Sequence, residues 1–187
     1  MNNQAVITDE VIHRNPAELA VLCGLDGQDS HGYKLITFLQ DNLGDVCWLG
    51  RSQIYALLTK LEHEGLVTHE RIEQESFPAR KVYALTTQGH NVINEWLPKP
   101  VPHMRDLRVE FLIKLFFARL KSTTIEKKLL KAQLDLSEAK LSKLMKIKSR
   151  ASSNIAEEAI DYRISMAQAS IFWLENLTRK QSNRSGF

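Results

Sequence analysis

Apolar residues recur at helical spacing over most of this chain and change to a strand-like pattern in one short stretch. Between Arg51 and Gly65 the residues Ile54, Leu57, Leu58 and Leu61 share one face of a helix. Ser52 is a residue type that caps a helix start, and Gly65 one that ends it in the left-handed conformation. This helix, over about 52–64, turns Arg51, Ser52, Gln53, Ala56, Thr59 and Lys60 away from the apolar face. Such side chains can enter a major groove and reach base edges. Two helices precede it. Asn15-Pro16-Ala17-Glu18 opens the first with a capping-box-like arrangement, and Leu19, Val21, Leu22 and Cys23 carry it to Leu25-Asp26-Gly27. Ser30 is placed to cap the second, which runs from His31 to about Leu43 on Leu35, Ile36, Leu39 and Leu43. After Gly65, residues 66–73 and 80–86 are strand-like, joined by 74–79. Thr86 or Thr87 then caps a fourth helix with Val92, Ile93 and Trp96, which Pro98, Pro100 and Pro102 must break.

The order helix, helix, helix, hairpin, helix over 15–97 predicts a winged helix-turn-helix. Residues 1–14, with weak periodicity, read as an N-terminal arm, and 98–104 as a Pro-rich linker. Beyond it the pattern is purely helical. A helix from Arg105 to about Leu120 carries Leu107, Phe111, Leu112, Leu115, Phe116 and Phe117 around most of its circumference, so it must be buried. A second, about 124–150, sets Leu130, Leu134, Ser137, Leu141 and Leu144 at alternating steps of four and three, a coiled-coil-like seam. The third, about 154–180, has two stripes. One is Ile155, Ala159, Tyr162, Met166, Ala169 and Trp173; the other is Ile160, Ile164, Ala167, Ile171 and Leu174. Two stripes call for two partners, one in the same chain and one in a second copy. The fold expected is mainly α: an N-terminal winged helix-turn-helix followed by an antiparallel C-terminal helical dimerisation domain over 105–187. Leu130, Leu134, Leu141, Leu144, Tyr162, Met166 and Trp173 are its candidate dimerisation residues.

Composition narrows the function without naming it. The chain has 187 residues, 43% hydrophobic and 25% charged, ordinary values for a protein that buries a core. The net charge of +3 is unevenly spread: residues 1–97 carry −6 and residues 98–187 carry +9. Two cysteines, Cys23 and Cys47, with no CxxC pair, point away from a disulfide framework or zinc site. His63 and His69, with Glu64 and Glu70 beside them, fall in different elements and do not make a ligand set. With no GxSxG, Walker or HExxH pattern, neither an enzyme nor a cofactor is expected. Apolar runs end well before ~18 residues and the N-terminus lacks a secretory signal, so a cytoplasmic protein with no membrane segment is expected.

Four pieces in order carry a family resemblance: His31-Gly32-Tyr33-Lys34-Leu35; Ser52-Gln53-Ile54-Tyr55 with Leu58, Leu61-Glu62 and Glu64-Gly65-Leu66-Val67; Arg80 to Thr86 with Gly89; and Arg105 to Phe117. Together they resemble the PadR family of transcriptional regulators, in its larger, AphA-like subgroup with a long C-terminal helical domain. The resemblance implies a bacterial, nucleoid-associated homodimer that binds double-stranded DNA at a pseudo-palindromic operator. Tyr33, Tyr55, Arg80 and Lys81 match its DNA-facing positions. On their chemistry, Arg51 suits guanine, Gln53 adenine, and Arg80 and Lys81 phosphates, with Ser52 and Lys60 on the same helix. Glu70, Glu73 and Glu75 make the wing more acidic than the family's pattern. The family also implies a small aromatic effector, for which Trp173, Tyr162, Phe172 and Met166 are the candidates. The alternative is an adaptor that keeps the winged fold but binds proteins through its acidic surface.

Overall fold

The structure is a computed structural model that describes residues 14–27, 30–73, 80–148 and 153–184. The chain divides into two compact units between Leu97 and Pro98. The proposed arm, residues 74–79 of the hairpin with Glu75, and the turn at 28–29 lie outside the described residues, apart from Arg14.

The first unit is built around helix α1 (Pro16–Gly24), whose Ala17, Leu19, Ala20, Val21, Leu22 and Cys23 are all buried. A helix apolar on every side belongs at the centre of a core. Asn15 caps it by accepting from the Ala17 N–H at 2.9 Å. Glu18 does not complete a capping box. Its buried carboxylate instead accepts from Lys60 Nζ at 2.5 Å and Arg14 Nη1 at 3.4 Å. Helix α2 (Gly32–Leu43) buries Leu35, Ile36, Leu39 and Leu43, and helix α3 (Arg51–His63) buries Ile54, Leu58 and Leu61.

Two capping assignments are corrected. Ser30 and His31 form a short strand, β1 (Ser30–His31), so Ser30 pairs with Tyr83 instead of capping α2. Gly50, not Ser52, is the N-cap of α3, with the Ile54 N–H reaching its carbonyl at 3.0 Å. The C-terminus of α3 is as expected, because Gly65 adopts φ +71°. That lets the Leu66 N–H reach Leu61 O and the Gly65 N–H reach Glu62 O, both at 2.9 Å, closing a Schellman motif. Strands β2 (Val67–Ile72) and β3 (Arg80–Leu85) pair antiparallel from Val67↔Leu85 to Ile72↔Arg80, giving the sheet order β1-β3-β2. Thr86 caps helix α4 (Thr87–Trp96), accepting from the Gly89 N–H at 3.1 Å.

In the second unit the helix expected from Arg105 is interrupted. Met104–Arg108 is a 3-10 turn, Val109 leaves helical geometry (φ −124°, ψ −67°), and only then does α5 (Glu110–Lys121) begin. Extended Ser122 separates α5 from α6 (Thr123–Lys148), which forms an antiparallel hairpin with α7 (Asn154–Arg184). Lys148 and Asp161 pair at 2.5 Å across it. Buried residues of α7 recur every seventh position, at Ile160, Ala167, Leu174 and Gln181, facing a seam on α6 that includes Leu130, Gln133, Ser137 and Leu144. Gln133 is satisfied by the Val101 backbone at 2.7 and 3.3 Å. No described helix is long and apolar enough to cross a membrane.

Candidate nucleic-acid interface

The first unit brings three elements to one concave surface. The N-terminal ends of α2 and α3 and the base of β3 enclose a cleft of about 500 Å³, lined among others by Tyr33, Lys34, Tyr55, Arg80 and Lys81. Tyr33 is 64% and Tyr55 41% exposed. The Arg51 guanidinium lies 5.6 Å from the centre of the Tyr33 ring, a cation–π contact between α3 and α2. Tyr55 lies over Gly32, where an added Cβ would come within 2.7 Å of its ring. The absence of a side chain at Gly32 is therefore what lets Tyr55 rest on α2.

The electrostatics of this surface differ from those of its unit as a whole. Among the described residues no carboxylate lines the cleft. Arg80 and Lys81 are exposed and have no ion pair among the described residues. Much of the acidity counted in residues 1–97 is matched inside the unit. Glu64 pairs with Arg14 at 2.6 Å, Glu18 with Lys60 and Arg14, and Glu62 hydrogen-bonds His69 Nδ1. Glu73 pairs with Arg71 at 3.2 Å on the exposed wing. Burial, then the neighbouring Glu62 and Tyr55, pushes the Tyr83 phenol above its ordinary value, so it stays neutral beneath the cleft.

Of the eight residues singled out for DNA, five gather here: Tyr33, Arg51, Tyr55, Arg80 and Lys81. Ser52 and Gln53 are exposed in the first turn of α3 beside Arg51. Lys60 is set apart, near the other end of α3, where Glu18 at 2.5 Å and Glu64 at 3.7 Å hold its ammonium. Two residues not singled out belong to the description. Lys34 lines the cleft, and Trp48 stands 68% exposed just before α3. Gln40 fixes the Trp48 loop by donating to Leu49 O at 2.9 Å. A tryptophan just ahead of a predicted recognition helix was the available signal.

The dimerisation candidates separate into three groups by burial. Leu130 and Leu144 are buried within the chain, at 1% and 7% exposure. Leu134 and Leu141 are half-buried, and Trp173 packs edge-on against Phe111 at 5.8 Å. Tyr162 and Met166 stand open at 67% and 46%, beside Ile155 at 72% and Phe172 at 64%. The stripe of α7 that begins at Ile160 is thus the one turned inward.

The model of the transcriptional regulator PadR-like family matches residues 21–95, and that of the virulence activator alpha C-terminal domain matches residues 107–180. The chain is 32% identical to the negative transcriptional regulator PadR of Bacillus subtilis over 125 residues, 67% of this chain and 69% of that one. A crystal structure of Bacillus subtilis PadR in complex with operator DNA is similar at 25% identity and a TM-score of 0.45, over 86% of this chain and 97% of the other. A structure of the same protein with p-coumaric acid is similar at 24% identity and a TM-score of 0.41, over 90% and 99%.

Proposed function

Since this chain belongs to the PadR family of transcriptional regulators, which are not enzymes, we propose that it binds operator DNA as a homodimer through the cleft face of its first unit. In this reading α3 enters the major groove, with Arg51, Ser52 and Gln53 at base edges. Tyr33 and Tyr55 meet the sugar-phosphate backbone, and Arg80 and Lys81 neutralise phosphates beside the wing. Lys60 takes no part, because Glu18 already holds it. The observation that carries the reading is the convergence of exposed Arg80 and Lys81 with exposed Tyr33 and Tyr55 on a cleft that no carboxylate lines among the described residues. Of the glutamates on which an adaptor would rely, Glu62 is held by His69 and Glu73 by Arg71. Two copies joined through α7 would present two α3 helices to a pseudo-palindromic operator, in the cytoplasm and on the nucleoid. The aromatic effector implied by the family has less support in this chain. Phe111 occupies Trp173, and only Tyr162 and Met166 of the four candidates share a cavity.

The test is fluorescence anisotropy of the full chain on DNA from upstream of its own gene, followed by genome-fragment selection, at two salt concentrations with scrambled competitor. Saturable binding that beats the competitor is expected. No selected fragment from either source would refute the reading. Arg80→Ala with Lys81→Ala should weaken binding to every sequence alike and flatten the salt dependence by about 1.8 in log–log slope per protomer, roughly 0.9 for each lost phosphate contact. An unchanged slope would remove the pair from the backbone.

Gly32→Ala separates binding from folding. Its Cβ would displace the far end of Tyr55, a flexible side chain, and not any backbone. Melting should therefore stay within about 3 °C of the parent, since the cost is under ~1 kcal/mol. Operator affinity should fall roughly tenfold, the worth of one well-placed contact. Unaltered affinity would show that Tyr55 does not need its seat on α2.

A further inference from the structure

The second unit holds a cleft of about 670 Å³ that the DNA-binding reading does not use. It lies along α6 and α7 beside the 3-10 turn. Met104, Leu144, Ile147 and Met166 supply an apolar wall, while Lys140, Lys143 and Arg163 bring three cations to it, beside His103 and an Arg105 that pairs with Asp106. None of those three has an ion-pair partner among the described residues. Asp106 is the one carboxylate acting on Lys140, and it lies 3.6 Å from Arg105, outside the lining. Volume and lining are those of a small-molecule site: mostly apolar, with a few convergent polar groups.

From this arrangement we infer that the cleft binds an amphipathic anion, specifically an aliphatic carboxylate whose head meets Lys140 and Arg163 and whose chain lies on the methionine, leucine and isoleucine wall. The chemistry of the wall selects the ligand. Unbranched methionines and aliphatic side chains adapt to a flexible chain. A flat aromatic acid would find little to stack on, because Tyr162 is the one carbocyclic ring in the lining. A cationic or neutral amphiphile would leave Lys140, Lys143 and Arg163 uncompensated against apolar surface. Burial pulls the Lys140 ammonium below its ordinary value, against the opposing pull of Asp106. An incoming carboxylate restores what that desolvation costs. Tyr162 and Met166 also belong to the open stripe of α7, so the variants that test the site are placed away from that stripe.

The experiment is calorimetric titration of the full chain with dodecanoate below its micelle concentration and without DNA, so that failure of operator binding cannot affect it. Saturable binding near one equivalent per chain is expected. Lys140→Gln and Arg163→Gln should each weaken it by about tenfold, as expected for one charge-assisted hydrogen bond. Lys127→Gln, at an exposed lysine of the same helix outside the cleft, should leave it unchanged. Dodecanol and dodecyltrimethylammonium should bind at least roughly tenfold more weakly. Absence of dodecanoate binding, equal binding of dodecanol, or indifference to both glutamine variants would overturn the site. Tighter binding of cinnamate than of dodecanoate would overturn the aliphatic class in favour of an aromatic one.

Discussion

Gly89→Ala is expected to unfold the first unit more readily than any other single methyl group added to it. Gly89 lies in the first turn of α4, and a Cβ there would come within 2.2 Å of the Leu66 carbonyl oxygen and 3.1 Å of Leu85 Cδ2. The obstacle is backbone, and that backbone is already committed. Leu66 O accepts the Thr86 N–H at 3.1 Å, and its own N–H closes the cap of α3. Neither partner can retreat without breaking the junction of α3, wing and α4. Helix propensity argues the other way, since alanine in place of glycine gains about 1 kcal/mol within a helix. Overpacking of this severity costs about 3 kcal/mol or more, so the steric term wins. Thermal melting should show a drop on the order of 10 °C. Gly27→Ala provides the contrast: its φ of +93° is strained for alanine, but nothing lies within 4 Å of the added carbon. It should cost only about 1–2 kcal/mol. A neutral or stabilised Gly89→Ala would mean that α4 can shift off the wing without penalty.

That junction also shows what the sequence can and cannot disclose. Gly65 and Thr86 were readable because a left-handed cap and an N-cap are local chemistry, decided by a few neighbouring residues. The main helices were readable because burial on one face leaves its period in the chain. Strand β1 was not: two residues have no period, and Ser30 has the chemistry of a cap until β3 pairs with it. The break at Val109 was hidden because one 3-10 turn spaces apolar residues much as an α turn does. At the candidate interface the residue types were legible, including Tyr33, Tyr55, Arg80 and Lys81. Their dependence on a bare Gly32, and the diversion of Lys60 to Glu18, were not, since both rest on contacts between residues distant in the chain. Lys114, buried at 2% exposure and donating to Lys99 O at 2.9 Å, has the same kind of explanation. Nor could the pattern rank the stripes of α7, because both follow the same helical period.

With that ranking made, a second large effect follows at the opposite end of the chain. On the proposed homodimer, replacing Tyr162 and Met166 together with aspartate should convert dimers into monomers with helical content intact. Both side chains are substantially exposed within one chain, so two carboxylates there burden an interface and the cleft they line but not the core. Ile155, Tyr162 and Met166 are large side chains left open on one stripe of α7, and clustered exposure of this kind marks a protein contact. Desolvating a carboxylate at such a contact costs several kcal/mol, enough to abolish it. Sedimentation should give a mass near 21.4 kDa in place of twice that value. Ile160→Asp, on the inward stripe, should instead melt the hairpin, because Ile160 is only 8% exposed. Operator affinity of the Tyr162/Met166 monomer should fall by at least about a hundredfold, since the second half-site is no longer bound at the high effective concentration a dimer provides. Dimer mass unchanged by the double substitution would place the contact elsewhere, on the half-buried Leu134 and Leu141 of α6. Monomers that still bound operator at full strength would show that each first unit recognises its half-site alone.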